Sequence, residues 1–77
     1  MTNNEIWRSG TGFIAAYTED KDLMRRIKRY KTDNDWTITA KYFDTKASGK
    51  LIGVHYRIPV EQRRQAMRMF AVTEMKD

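Results

Sequence analysis

The chain has 77 residues, enough for one domain near the lower size limit at which a single hydrophobic core suffices. It contains no cysteine, which excludes disulfides, thiolate nucleophiles and the usual structural zinc sites. Fifteen Lys and Arg residues against ten Asp and Glu give a formal net charge of +5, which favours polyanions or acidic protein surfaces as partners. No apolar run approaches the ~20 residues of a membrane span, and we expect a cytoplasmic protein without a signal peptide.

The first part of the chain predicts two strands. Residues 5–8 predict a short strand that turns into the next element. Residues 13–17 are apolar throughout and too few for a helix, so they predict a strand that is covered on both faces. The polar residues that precede these strands predict a loosely ordered N-terminus.

A helix follows, and its two ends have the side chains that helices favour. Thr18 predicts the N-cap, because its hydroxyl can accept a hydrogen bond from a free N–H of the first turn. Acidic residues come first and basic residues last, which complements the helix dipole. Leu23, Ile27 and Tyr30 recur at helical spacing and predict the buried stripe, with Met24 on its flank.

Two alternating segments, residues 36–43 and 51–58, surround a Gly-containing loop and predict a β-hairpin. The alternation predicts a covered face made of Trp36, Ile38, Ala40, Tyr42, Ile52, Val54, Tyr56 and Ile58. The outer face is predicted to present Thr37, Thr39, Lys41, Phe43, Leu51, Gly53, His55 and Arg57. Cations and an aromatic ring on such a face suit the stacking of bases and the binding of phosphates.

Pro59 suits the first position of a second helix, whose apolar side is predicted to hold Val60, Met67, Phe70 and Ala71. The predicted fold class is therefore α+β: a small β-α-β-β-α domain. Its sheet is mainly antiparallel with three or four strands, and the two helices pack on one face. We expect residues 1–77 to form a single domain, with residues 1–5 and 73–77 loosely ordered.

This order of elements resembles the first five elements of an RNA-recognition-motif domain. Residues 50–56, KLIGVHY, resemble the aromatic-rich motif on the third strand of that family. Leu51 and Val54 stand near positions where the family has aromatic residues, and the last strand and the first-strand motif are missing. The resemblance therefore concerns architecture, and no residue role is carried over from the family.

Doubled arginines on both predicted helices are the main candidate binding features. Arg25 and Arg29 lie one turn apart, a rise of ~5.4 Å that suits contacts to successive phosphates. The alternative is an ordinary solvated surface on which Asp22 pairs with Arg25 or Arg26. The candidate residues for binding a nucleic acid or a protein partner are Arg25, Arg26, Arg29, Lys41, Arg57, Arg63, Arg64 and Arg68.

The remaining candidate residues do not form a catalytic or metal-binding set. Trp7 lies in a polar segment and is a candidate interface residue. The aromatic residues predicted to be mostly core are Trp36, Tyr17, Tyr30, Tyr42 and Tyr56. His55 is the only histidine and predicts a structural strand residue. Residues 33–35, DND, resemble the start of a calcium loop but lack its glycine and its final glutamate. We expect no catalytic residue, metal or cofactor.

The leading hypothesis is a small basic accessory protein that binds nucleic acid with low sequence specificity. Its phosphate contacts would come from the helix arginines and the hairpin cations. The alternative is a protein-interaction module or inhibitor of the kind that viruses and mobile elements encode. Such a module would dock its basic face on an acidic partner or capture a small phosphorylated ligand. A homodimer is expected, because so small a core benefits from additional buried area.

Overall fold

The structure, a computed structural model, describes residues 4–30, 36–46 and 49–75. Its elements in chain order are β1 (Glu5–Arg8), β2 (Phe13–Thr18), α1 (Lys21–Tyr30), β3 (Thr37–Phe43), β4 (Leu51–Pro59), a 3₁₀ turn (Val60–Gln62) and α2 (Arg63–Met69). The four strands form one sheet in the order β1-β2-β4-β3, in which every neighbouring pair is antiparallel. The predicted α+β fold class is confirmed.

The hydrophobic core lies on one face of this sheet, beneath both helices. Leu23 and Ile27 of α1 and Ala66 and Phe70 of α2 belong to the same buried cluster as the strand residues. The strand residues of that cluster are Ile6, Ile14, Ala16, Val54, Tyr56 and Ile58, and Trp36 joins it from just before β3. Because two short helices cover only this face, the opposite face of the sheet is left without a covering element among the described residues.

The first helix follows the prediction except at its cap. Leu23 and Ile27 are buried as predicted, and Met24 packs against them from the flank. The N-cap is Asp20 and not Thr18, because Asp20 Oδ1 accepts hydrogen bonds from the N–H groups of Asp22 and Leu23. Thr18 is buried; its hydroxyl donates to Asn4 Oδ1 and accepts from the N–H of Asp20, which fixes the corner between β2 and α1.

Two irregularities in the pairing of β3 with β4 make part of the predicted alternation wrong. Ile38 lies opposite Tyr56 but Ala40 lies opposite His55, so Thr39 is an extra residue on β3. The second irregularity leaves Ile52 as an extra residue between the partners of Tyr42 and Phe43.

The faces of the hairpin change as a result, since one extra residue moves the following side chains to the other side of the sheet. Ala40 and Tyr42 lie on the uncovered face and Tyr42 is exposed, although both were predicted to be covered. Lys41, predicted on the outer face, lies on the helix-covered side opposite Val54. Leu51 packs against the core and Ile52 is exposed, the reverse of the prediction.

Three further predictions are corrected. Residues 13–17 were predicted to be covered on both faces, but Phe13 is exposed because the helices cover only one side. Pro59 ends β4 and caps the 3₁₀ turn, so it is not the first residue of α2. Ala66 takes the buried position on α2 that was assigned to Ala71, which has a φ of 54° just beyond the end of the helix.

The predicted β-α-β-β-α order is present as β2, α1, β3, β4 and α2. The fourth strand of the sheet is β1, which precedes these elements and pairs with β2. Residues 33–35, which resemble the start of a calcium loop in sequence, lie outside the described residues. Among the described helices, none has the length and apolar character needed to cross a membrane.

Tyr56 provides a test of the core through the pH dependence of stability. Burial raises the pKa of Tyr56 to about 12, against 10.0 for an exposed phenol. Above pH ~10 the unfolded chain therefore loses this proton while the folded chain keeps it, and the free energy of unfolding falls until the pH passes the folded pKa. A shift of this size corresponds to roughly 2–3 kcal/mol.

We expect urea unfolding to show this loss between pH 10 and 12 and the Tyr56→Phe variant to show a correspondingly smaller loss. The comparison with the variant removes the contribution of other groups that titrate in the same range. An identical decrease in both proteins would contradict the burial of the phenol.

Candidate binding face of the sheet

The uncovered side of the sheet, called here the open face, has a defined set of side chains. Strand register places alternate residues of each strand there, with Tyr17 between Glu5 and His55, and Ala15 between Trp7 and Arg57. The residues of the open face are Glu5, Trp7, Phe13, Ala15, Tyr17, Thr37, Ala40, Tyr42, Gly53, His55 and Arg57.

Four aromatic side chains of the open face form one contiguous group, called here the aromatic cluster: Trp7, Tyr17, Tyr42 and His55. The imidazole of His55 is central, with its ring centroid 5.2 Å from Trp7, 5.2 Å from Tyr17 and 5.3 Å from Tyr42. All three contacts are edge-on, the arrangement that aromatic quadrupoles favour. One ring from each strand of the sheet therefore contributes to a single aromatic surface.

Gly53 makes room for the ring of Tyr17. A Cβ atom at residue 53 would lie 2.6 Å from Cζ and 2.7 Å from Cε1 of Tyr17, far inside van der Waals contact. The phenol of Tyr17 therefore lies directly against the backbone of β4, and its ring centroid is 6.0 Å from that of Tyr42. Any larger residue at position 53 would displace the ring from the centre of the open face.

Phe13 and Arg57 extend the aromatic surface toward the other end of the strands. The guanidinium carbon of Arg57 lies 4.6 Å from the centroid of the Phe13 ring, which is a cation–π contact. Phe13 is 36% exposed and Tyr42 43% exposed, so rings near both ends of the open face are accessible from solvent. The open face thus combines accessible rings with a fixed cation.

Carboxylates also border the open face. The hydroxyl of Tyr17 donates a hydrogen bond of 2.9 Å to Glu19 Oε2, and Glu5 lies opposite Tyr17 on β1. Burial, the hydrogen bond to Glu19 and the negative charges of Glu19 and Glu5 all raise the pKa of Tyr17 above 10.0. Tyr17 therefore stays protonated at neutral pH. The negative charges of Glu5 and Glu19 lie beside it, so the acidic part of the open face is the part around Tyr17.

The sequence-predicted binding residues lie on three separate surfaces. Trp7 and Arg57 are on the open face. Arg25, Arg26 and Arg29 are exposed on α1, on the other side of the molecule. Arg25 pairs with Asp22, as the alternative interpretation of a solvated surface expected. This pair is highly exposed and contributes little to stability.

The cations of the third surface are those of α2, where Arg63, Arg64 and Arg68 are all exposed. Arg63 lies near Arg8 and the β1–β2 turn, and the two arginines line one cavity. Lys41 belongs with the first helix, because it lines a cleft of about 240 Å³ together with Lys28 of α1. The structure therefore does not bring the predicted cations together on one surface.

Sequence reasoning missed Phe13, Tyr17 and Tyr42 as functional candidates, because their strands were assigned to the core. Gly53 was the one available signal, since a glycine inside a strand often marks the close approach of another group. Nothing comparable marks Tyr42, whose position depends on the extra residue at Thr39.

Comparisons with protein families, with curated proteins and with solved structures gave no match for this chain. Within the described ranges, no group of three or more His, Asp or Glu side chains is arranged to hold a metal ion. The geometry of the open face and its surroundings is therefore what indicates a function.

The contact between Gly53 and Tyr17 can be tested with a double-mutant cycle. Gly53 does not have a positive φ, so Gly53→Ala adds a methyl group without backbone strain, and its cost should come from displacing the Tyr17 ring. Overpacking of this kind costs ~1–3 kcal/mol in the free energy of unfolding, measured by urea denaturation. In a Tyr17→Ala background the same substitution should cost almost nothing. Equal costs in the two backgrounds would show that the ring does not lie over Gly53.

Proposed function

We propose that this protein binds single-stranded nucleic acid on the open face, with low sequence specificity. The observation that carries the proposal is the aromatic cluster, a contiguous group of four rings on the uncovered face of a four-stranded sheet. Stacking between bases and aromatic side chains tolerates any sequence, because every base has a π-face. This tolerance is the reason that we expect low specificity.

A single strand fits this surface better than a duplex. In a duplex the bases are stacked on one another and are not free to contact a sheet, whereas unpaired bases can stack on exposed rings. The accessible rings of Tyr42 and Phe13 lie near opposite ends of the open face, with Trp7 and His55 between them in the proposed path. We infer that the bound strand crosses the four strands of the sheet and contacts several bases at once.

Phosphates in this arrangement would be bound by cations around the rings. Arg57 lies on the open face itself, Lys46 and Lys50 belong to the β3–β4 loop beyond Tyr42, and Arg8 lies at the end of β1. Glu5 and Glu19 border the face near Tyr17, so phosphates would be repelled there and directed toward the two ends. The number of ionic contacts is therefore small, and the base stacking supplies much of the affinity.

The helix arginines predicted to contact phosphates lie on the far side of the molecule from the open face. Arg25, Arg26 and Arg29 therefore cannot touch the same few nucleotides as the aromatic cluster. Their contribution to binding a short strand would be through the long-range potential alone, which salt screens. This separation makes the two surfaces experimentally distinguishable.

Adjacent residues of β3 provide a matched pair of variants. Tyr42 belongs to the aromatic cluster, whereas Phe43 is 50% exposed and pairs with Leu51 on the helix-covered side. In fluorescence anisotropy with a labelled single-stranded oligonucleotide, Tyr42→Ala should weaken binding roughly fivefold to a hundredfold, the effect of one lost stacking contact. Phe43→Ala removes an exposed ring of similar size and should leave the affinity within about twofold.

The competing surface is tested in the same assay with Arg25→Glu/Arg29→Glu. If the open face binds the strand, this variant should lose much less affinity than Tyr42→Ala, and the difference from wild type should shrink as salt is added. Loss of binding in the helix variant with an unaffected Tyr42→Ala would assign the nucleic acid to α1. Absence of binding to single-stranded DNA and RNA at low salt would refute the proposal.

A protein partner is the second candidate function, and the mixed charge of the open face favours it. Glu5 and Glu19 stand beside Arg57 and the accessible rings, a composition that suits a protein surface with both signs of charge. In that case the wild type would capture one stoichiometric partner and would show no detectable binding to oligonucleotides. Tyr42→Ala would abolish the capture of that partner. The proposed homodimer is a special case, and sedimentation at micromolar concentration tests it.

A further inference from the structure

We propose that the cavity between the β1–β2 turn and the start of α2 is a phosphate-binding site. The cavity measures about 220 Å³, several times the ~30 Å³ that one water occupies in the liquid, and it accommodates a tetrahedral oxyanion. Arg8 enters it from β1 and Arg63 from α2, so the fold brings together two guanidinium groups that are far apart in the chain. None of the described residues that line this cavity is a carboxylate.

Two arginines without a lining carboxylate favour an anion of matching geometry. A guanidinium offers planar pairs of N–H donors that suit the oxygens of a phosphate. The side chain of Arg63 has no hydrogen-bond or ion-pair partner among the described residues, so its guanidinium donors are available to a ligand. Glu61 lines a neighbouring cavity together with Arg63 and Arg64, so a carboxylate borders the site on the α2 side.

The β1–β2 turn exposes its main chain to the same cavity. Gly10 and Gly12 line the cavity with φ values of 74° and 85°, and a Cβ at either position would meet no atom within 4 Å. Hydrogen bonds of this segment join Ser9 N–H to the Phe13 carbonyl and Val60 N–H to the Gly12 carbonyl. The peptide N–H groups of residues 10–12 have no described main-chain acceptor, which leaves them able to donate to an oxyanion.

The cavity adjoins the open face through Phe13. This side chain lines the cavity, and its ring carries the guanidinium of Arg57 at 4.6 Å. Arg8, Arg57 and Arg63 therefore surround one exposed ring at the same end of the sheet. On the proposed function, the ligand is a phosphate of the bound strand, positioned beside a base that stacks on Phe13; the same chemistry would also take a free phosphorylated small molecule.

The site can be tested with inorganic phosphate and the full chain, independently of any oligonucleotide. We expect titration at constant ionic strength to shift the amide NMR signals of residues 10–12. Arg63→Gln should weaken this binding roughly tenfold, the effect of losing one charge-assisted pair. Arg64→Gln is the matched control, because it removes the same charge from the next residue of α2, which does not line the cavity.

Absence of amide shifts with the wild type would show that the cavity does not bind phosphate. Equal weakening by Arg63→Gln and Arg64→Gln would show that phosphate is attracted by the overall charge and not by this site. An unchanged amide spectrum elsewhere verifies that each variant is folded.

Two further ligands separate the sources of the phosphate. One outcome is that a strand with a terminal phosphate binds more tightly than the unphosphorylated strand and that Arg63→Gln removes this difference. This outcome would assign the site to the nucleic acid. The other outcome is that AMP, but not adenosine, shifts the amide signals of residues 10–12 while the two strands bind equally. This outcome would assign the site to a small phosphorylated ligand. Phosphate binding without any oligonucleotide binding would support the site and refute the proposed function, so the two failures are distinguishable.

Discussion

The extra residue at Thr39 determines which side chains the two faces of the sheet present. Without it, Tyr42 would continue the covered face begun by Ile38, and Lys41 would face solvent on the opposite side. With it, Tyr42 joins His55 on the open face, and Lys41 lies beside α1 in the cleft that Lys28 also lines. One irregularity thus completes the aromatic cluster and removes a lysine from it, at an edge strand where bulges also discourage pairing with other chains.

The open face is stabilised by its own side chains because no helix covers it. His55 contacts a ring on each side, and Gly53 lets Tyr17 lie against the backbone, so the aromatic cluster is fixed before any ligand binds. Rigid rings lose little conformational entropy on binding, which favours a preformed stacking surface. The same rings reduce the apolar area exposed to water, so on the proposed function stability and binding would depend on the same contacts.

A structural feature could be predicted from the sequence when the residues that determine it lie in one segment, and not when it depends on how segments pack together. The interior of α1 was predictable, since Leu23 and Ile27 follow helical spacing within one segment. The β-hairpin was predicted as an element, but its faces were not, because the extra residue at Thr39 is defined only by its pairing with β4. Likewise Phe13 and Tyr17 belong to an apolar segment that alone predicts burial on both sides. One side of this segment is open because the two helices cover only one face of the sheet.

The distribution of charge explains why composition alone was a weak guide to the site. The net charge of +5 suggested a single basic surface, but the cations are divided among α1, α2 and the ends of the sheet. On the open face Arg57 is accompanied by Glu5, so the net charge near the rings is small. A ligand that relied on charge would bind the helices, whereas one that relies on stacking would bind the sheet. The affinity of a single strand for the open face should therefore depend on salt less steeply than the overall charge of the chain implies.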